Sequence, residues 1–147
     1  MSDTGHTVKS YAEEMQSLND DLIKMGSLTE SQLADAMEAV IKLDKESVDK
    51  IVQNDSKINA LRAAIDNQIT TVLVKRAPMA VDLRITISTM KISHDLERIG
   101  DLAKSVAKKV TPLPIDLPDE LVNSLRRLGD LVQKQLKDVL DAYLNNS

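Results

Sequence analysis

The chain has 147 residues, 42% of them apolar, with no Phe, Trp or Cys, and its 19 basic and 23 acidic side chains leave a formal charge of −4. Such a length suits one domain with a core of Leu, Ile, Val, Met and Ala, and a Leu/Ala/Lys/Glu-type composition makes all-α the expected fold class. The net charge repels nucleic acid, the lack of cysteine excludes disulfides and thiolate metal sites, and no apolar run approaches the ~20 residues of a spanning helix, so a cytoplasmic protein without a transmembrane segment is expected.

The first element runs from Val8, with Tyr11, Met15, Leu18, Leu22, Met25, Leu33, Met37 and Val40 recurring at spacings of three and four and a gap around Thr29. This pattern predicts a long amphipathic helix. Asp44 is the expected N-cap of a second helix, whose stripe is Val48, Ile51, Ile58, Leu61, Ile65, Ile69 and Val72 and which runs to about Lys75. Pro78 marks the break, because proline drives its predecessor out of the helical region and itself suits a first turn. The third helix is expected from Met79 to Val110, with a heptad seam of Ile85, Ile92, Ile99 and Val106. A second face carries Leu83, Ile87 and Met90 and turns acidic at His94, Glu97 and Asp101.

Pro112, Pro114 and Pro118 make the segment 111–118 a semi-rigid linker. A fourth helix follows from Asp119 through Leu121, Leu125, Leu128, Val132, Leu136, Val139, Leu140 and Tyr143. A shift of 103 residues lays it on the first, matching Leu22 to Leu125, Gly26 to Gly129, Leu28 to Leu131, Gln32 to Gln135, Leu33 to Leu136, Asp35 to Asp138 and Ala39 to Ala142. The repeat predicts a three-helix antiparallel unit over 1–110, the linker 111–118, and over 119–147 the first helix of a second, incomplete unit. The apolar stripe of that fourth helix is then exposed, docked on the first unit, or used in a homo-oligomer.

Glu97 and Asp101 lie four residues apart on one helical face, where like charges repel unless a cation intervenes. Asp55 interrupts the stripe between Ile51 and Ile58, with Asn59 one turn on; Pro78 is 23 residues from both Asp55 and Asp101, and 19 from both Asn59 and Glu97. In a hairpin centred on Pro78 these four residues face one another. Three carboxylates and an amide oxygen would make a hard-oxygen site for Mg²⁺, Mn²⁺ or iron; the alternative is four solvated polar residues on the hairpin edge. His94 is more in keeping with a boundary histidine, since its order before Glu97 is not the Glu-x-x-His spacing of di-iron bundles. Gly100 suits a close backbone approach, the alternative being a glycine merely tolerated on the helix surface. Arg84 and Arg98 could receive an acidic partner or phosphate, or pair with neighbouring acids. No glycine-rich phosphate loop, nucleophile–base pairing or zinc motif is present, and no enzyme is expected.

The segment Lys75-Arg-Ala-Pro-Met-Ala-Val-Asp-Leu-Arg84, with Met90-Lys-Ile-Ser-His-Asp-Leu-Glu-Arg-Ile-Gly-Asp101, closely resembles the signature of the PhoU family. The resemblance covers about Tyr11 to Val110 and implies two similar three-helix units in tandem. It also implies metal-binding acidic pairs on adjacent helices, matched here by Glu97 with Asp101 and by Asp55 with Asn59; Asn59 departs from the acidic form, and Ala77 stands where glutamine usually precedes the proline. The implied role is a non-enzymatic adaptor that regulates phosphate uptake and restrains the phosphate-starvation response when phosphate is plentiful. It would link the ATPase subunit of a phosphate ABC transporter to a sensor histidine kinase. A metal-binding helical bundle without a regulatory partner is the alternative.

Overall fold

A computed structural model describes residues 2–76 and 80–145, with side chains over 10–76 and 82–145. Four helices follow in order: α1 (Ser2–Lys42), α2 (Lys45–Arg76), α3 (Ala80–Val110) and α4 (Asp119–Asn145), with no strand among the described residues. The boundaries of α2, α3 and α4 follow the sequence reading closely, whereas α1 begins at Ser2, six residues before the expected Val8. Ala77 and Pro78, the expected centre of the hairpin, lie outside the described residues.

The α1–α2 turn is built from local chemistry. Leu43 adopts a left-handed conformation (φ 50°), and the Asp44 amide reaches back to the Ala39 carbonyl at 3.0 Å, closing the last turn of α1 in the Schellman manner. Asp44 then caps α2 as expected: Oδ1 accepts the Glu46 amide at 3.1 Å and Oδ2 the Ser47 hydroxyl at 2.8 Å. The three long helices pack on one another in all three pairings. Their shared core is Leu18, Leu22, Met25, Ile58, Ile65, Ile69 and Leu96, with a second cluster of Ala36, Ala39, Ile51, Ala103 and Ala107.

The seam of α3 differs from the expected one. Its buried positions are Thr86, Thr89, Ser93, Leu96, Gly100, Ala103 and Ala107, one residue along from the isoleucine heptad, while Val106 is half exposed. Size selected this face: small side chains let α3 approach closely. The hydroxyls are satisfied within the helix, Thr86 to the Asp82 carbonyl at 2.7 Å, Thr89 to Ile85 at 2.9 Å and Ser93 to Met90 at 2.8 Å. The gap at Thr29 in α1 has the same origin, since Thr29 is fully buried and donates to the Met25 carbonyl at 2.9 Å. Ile92 and Ile99 instead face α4 across a groove.

Of the described helices, α4 lies antiparallel along α1 and reaches α3 through Tyr143, whose hydroxyl meets Thr89 and lies 3.2 Å from Asn19 Oδ1. The contacts obey the 103-residue shift. A Cβ on Gly26 would sit 2.6 Å from Leu140, and one on Gly129 2.7 Å from Met37, and Leu140 is the shifted counterpart of Met37. Near the centre, Gln133 donates to the carbonyl of Glu30, its own counterpart, at 3.4 Å. Thus α4 docks one face on α1. Its other face, with Leu121, Leu128 and Val139 exposed, is the counterpart of the α1 stripe Leu18, Met25 and Ala36 that fills the three-helix core. Between α1, α3 and α4 runs an apolar groove of about 340 Å³ lined by Leu33, Met37, Ile99, Leu102, Val106 and Val132.

One polar clamp secures the same seam. Glu38 takes Arg126 of α4 at 2.6 Å and Lys42 at 3.3 Å. Hydrogen bonding from Arg126 first, and from Lys42 second, holds the Glu38 carboxyl below its ordinary value of 4.5. The clamp therefore contributes stability above that value, and the contribution is lost as pH falls through the lowered folded value. With the two side chains 43% and 47% exposed, it is worth at most about 1 kcal/mol. Amide exchange in α4 should quicken in acid relative to α2, and Glu38→Gln should abolish that difference; equal acid sensitivity of both helices would rule the clamp out.

Candidate polar node on the three-helix unit

Asp55 is the anchor of the polar site. It occupies a core position of α2, one turn after Ile51, and is 2% exposed, so the solvated-edge alternative fails for this residue. A buried carboxylate needs partners, and three N–H donors converge on it. Gln32 Nε2 of α1 reaches Oδ1 at 3.0 Å; Lys104 Nζ of α3 reaches Oδ2 at 2.9 Å; and Asn59 Nδ2 reaches Oδ2 at 3.4 Å. Gln32 is itself fully buried and fully used. Its amide nitrogen also donates to the Gly100 carbonyl at 2.8 Å, and its Oε1 accepts Asn54 Nδ2 at 2.8 Å, while Asn54 donates to the Leu28 carbonyl at 3.1 Å.

Gly100 is what lets this happen. A Cβ there would lie 3.1 Å from Ile58 Cδ1, 3.5 Å from Gln32 Nε2 and 3.6 Å from Asp55 Oδ1. Of the two readings of this glycine, the structure shows the close approach, and it exposes the Gly100 carbonyl to Gln32. One glutamine thus joins α1 to both α2 and α3.

The hairpin arithmetic is half realised. Asp55 and Asp101 do come together, sharing the Lys104 ammonium, which lies 3.2 Å from Asp101 Oδ1. Hydrogen bonds donated to Asp55 first, and to Asp101 second, push the Lys104 pKa up, so the ammonium stays charged. Glu97 is drawn away to Arg62 at 3.3 Å. Arg62 also pairs with Asp66 at 3.5 Å, and Asp66 Oδ1 lies 3.1 Å from His94 Nε2, so the boundary histidine belongs to a surface ion-pair network between α2 and α3. Among the described residues no group of three or more His, Asp or Glu side chains is placed to hold a metal. The Asp55–Asn59–Glu97–Asp101 quartet is therefore not assembled as a Mg, Mn or Fe site, because Lys104 and Arg62 take its carboxylates. The side chains present do not fit a metal ion in this arrangement.

Arg84 and Arg98 stand exposed, two heptads apart on α3, and neither forms an ion pair among the described residues. Arg76 does, gripping Glu14 of α1 at 3.0 Å. The residues the sequence reading passed over are Gln32, Asn54 and Lys104. Gln32 carried a signal, since it falls on the heptad of Leu18 and Met25, where only a side chain with buried partners can stand. No described helix is long and apolar enough to cross a membrane.

Comparison with known proteins bears on the same region. The PhoU domain model matches residues 22–110, from the middle of α1 to the end of α3, and so contains the whole node. The chain is 42% identical over 141 residues to the phosphate-specific transport system accessory protein PhoU homolog of Caulobacter vibrioides, covering 95% of this chain and 61% of that protein. It is 39% identical over 142 residues to the homolog of Zymomonas mobilis, covering 97% and 60%. The crystal structure of PhoU from Pseudomonas aeruginosa superposes with a TM-score of 0.83 at 33% identity, over 92% of this chain and 65% of that one. The chain thus spans about three fifths of the length of these curated relatives. With a family domain matched across more than half its residues and the bundle shared with a solved relative, the chain belongs to the PhoU family.

Proposed function

We propose that the chain is a regulator of phosphate uptake and of the phosphate-starvation response, acting as a cytoplasmic, non-enzymatic adaptor. The observation that carries this reading is the match of its whole three-helix unit to relatives named as accessory proteins of phosphate-specific transport. The geometry is compatible. Three long helices tied by buried hydrogen bonds make a rigid body that presents surfaces, and the buried polar groups at the node are spent on one another. Its partners would be the ATPase subunit of a phosphate ABC transporter and a sensor histidine kinase, with restraint of starvation genes when phosphate is plentiful. The exposed Arg84 and Arg98, without an ion pair among the described residues, offer a charged contact on α3. By the 103-residue shift, α4 would open a second unit of the same kind, and association through its outward apolar face would give a homo-oligomer.

Deleting the full reading frame should switch on phosphate-starvation genes in phosphate-rich medium, as read from a transcriptional reporter. Restoring the gene should silence them, and restoring it with Arg84→Glu and Arg98→Glu should leave them partly on at unchanged protein level. A reporter indifferent to the deletion would overturn the regulatory reading; full silencing by the doubly charge-reversed gene would remove only the arginines from it.

A further inference from the structure

We propose that Lys104 is the resident cation of the Asp55 node, and that the three-helix unit of this chain closes on that ammonium rather than on a divalent metal. The family resemblance calls for a metal at paired acids on α2 and α3, and the observed chemistry is different. Asp55, 2% exposed, already accepts three N–H donors, from Gln32, Lys104 and Asn59. Those donors turn the positive ends of their dipoles toward the place a metal would occupy. A hard divalent cation asks for about six oxygen ligands. The oxygens nearest to hand, those of Asp55 and the Gly100 carbonyl, are taken by N–H groups.

Lys104 meets the electrostatic need by itself. Its ammonium lies 2.9 Å from Asp55 and 3.2 Å from Asp101, at 24% side-chain exposure, and it comes from α3 one turn beyond Asp101. A chain-borne ammonium differs from a bound ion in one respect: it cannot dissociate, so helix closure does not depend on free metal. Glu97, which would have completed an acidic set, is neutralised separately by Arg62. Asparagine at position 59 in place of a carboxylate is consistent with this, because Lys104 already supplies the positive charge that a third acid would require of a metal.

The test uses the purified full chain with Mn²⁺ as the probe, followed by thermal melting and calorimetric titration. The wild type should melt at the same temperature after chelation and in millimolar Mn²⁺, and should give no binding heat. Lys104→Met keeps the aliphatic stem, removes the ammonium and leaves Asp55 and Asp101 facing each other; it should melt several degrees lower and regain part of that loss in Mn²⁺. Lys104→Gln, which keeps an N–H donor, is the companion variant and should show the same Mn²⁺ dependence at higher starting stability. A wild-type melting point that rises with Mn²⁺, with the rise abolished by Asp55→Asn, would overturn the proposal. So would loss of stability in neither Lys104 variant, or Mn²⁺ indifference in both.

Discussion

Asp55→Ala should destabilise the protein by about 3 kcal/mol, the lower end of what breaking a buried ion pair costs. The cost has two sources. Lys104 would lose its closest anion, and Gln32 Nε2 would lose one of its two acceptors inside a junction sealed from water. Lys104 retains Asp101 and can turn its ammonium outward, which holds the figure down; Gln32 is fully buried and cannot move away. Asp55→Asn keeps the shape and one oxygen but loses the charge, so it should fall between wild type and Asp55→Ala. Urea unfolding followed by circular dichroism would measure all three. The size of the Asp55→Ala effect separates the two readings of this residue, because a solvated edge carboxylate changes stability by no more than ~0.5 kcal/mol on removal.

Much of this architecture was legible from spacing alone. The helices came from apolar periodicity, because a helix that must bury one face writes that face into its sequence every three to four residues, while the Asp44 cap came from side-chain chemistry and the 103-residue repeat from matched identities such as Gly26 with Gly129 and Gln32 with Gln135. The α3 seam was misplaced for an instructive reason. Ile85, Ile92, Ile99 and Val106 are the most hydrophobic heptad of that helix, yet Thr86, Ser93, Gly100 and Ala107 are the buried one. Hydropathy ranks residues by affinity for the interior, whereas helices approaching closely select for small volume, and Thr and Ser remove their own polarity by bonding to the carbonyl three or four residues back. The isoleucines were not idle: Ile92 and Ile99 line the groove against α4, a second interface that a single-seam reading does not separate.

The node was half legible for a related reason. Asp55 on an apolar stripe announced a buried charge, and the distances from Pro78 brought it to the level of Asp101. What spacing cannot rank is which cation answers a buried carboxylate. Lys104 lies three residues from Asp101, and a long side chain at that spacing can swing to solvent or across to the neighbouring helix. The sequence reading offered Asp55 an external metal; in the structure the Lys104 ammonium lies 2.9 Å from it. Gln32 was missed because a glutamine on a core stripe reads as an interruption, although its two-ended amide is the group able to serve a carboxylate and a backbone carbonyl at once.

Ile58→Ala should cost about 3–4 kcal/mol, since a fully buried isoleucine leaves a cavity that rigid surroundings do not refill. In a core without Phe or Trp, no large neighbour is at hand to swing into the space. The sharper experiment pairs this site with Gly100. Gly100→Ala raises helix propensity by about 1 kcal/mol in favour of the folded state, yet its new methyl would sit 3.1 Å from Ile58 Cδ1 in a contact that one of the two must relieve. Ile58→Val removes that Cδ1 atom. Gly100→Ala should therefore be neutral to destabilising in the wild-type background and stabilising in the Ile58→Val background, with a coupling energy of about 1 kcal/mol from the double-mutant cycle. Additive effects would mean that Gly100 is tolerated on this helix for want of selection against it. A positive coupling would show that glycine at position 100 answers to Ile58, whose Cδ1 leaves no room for a methyl where α3 closes over the Asp55 node.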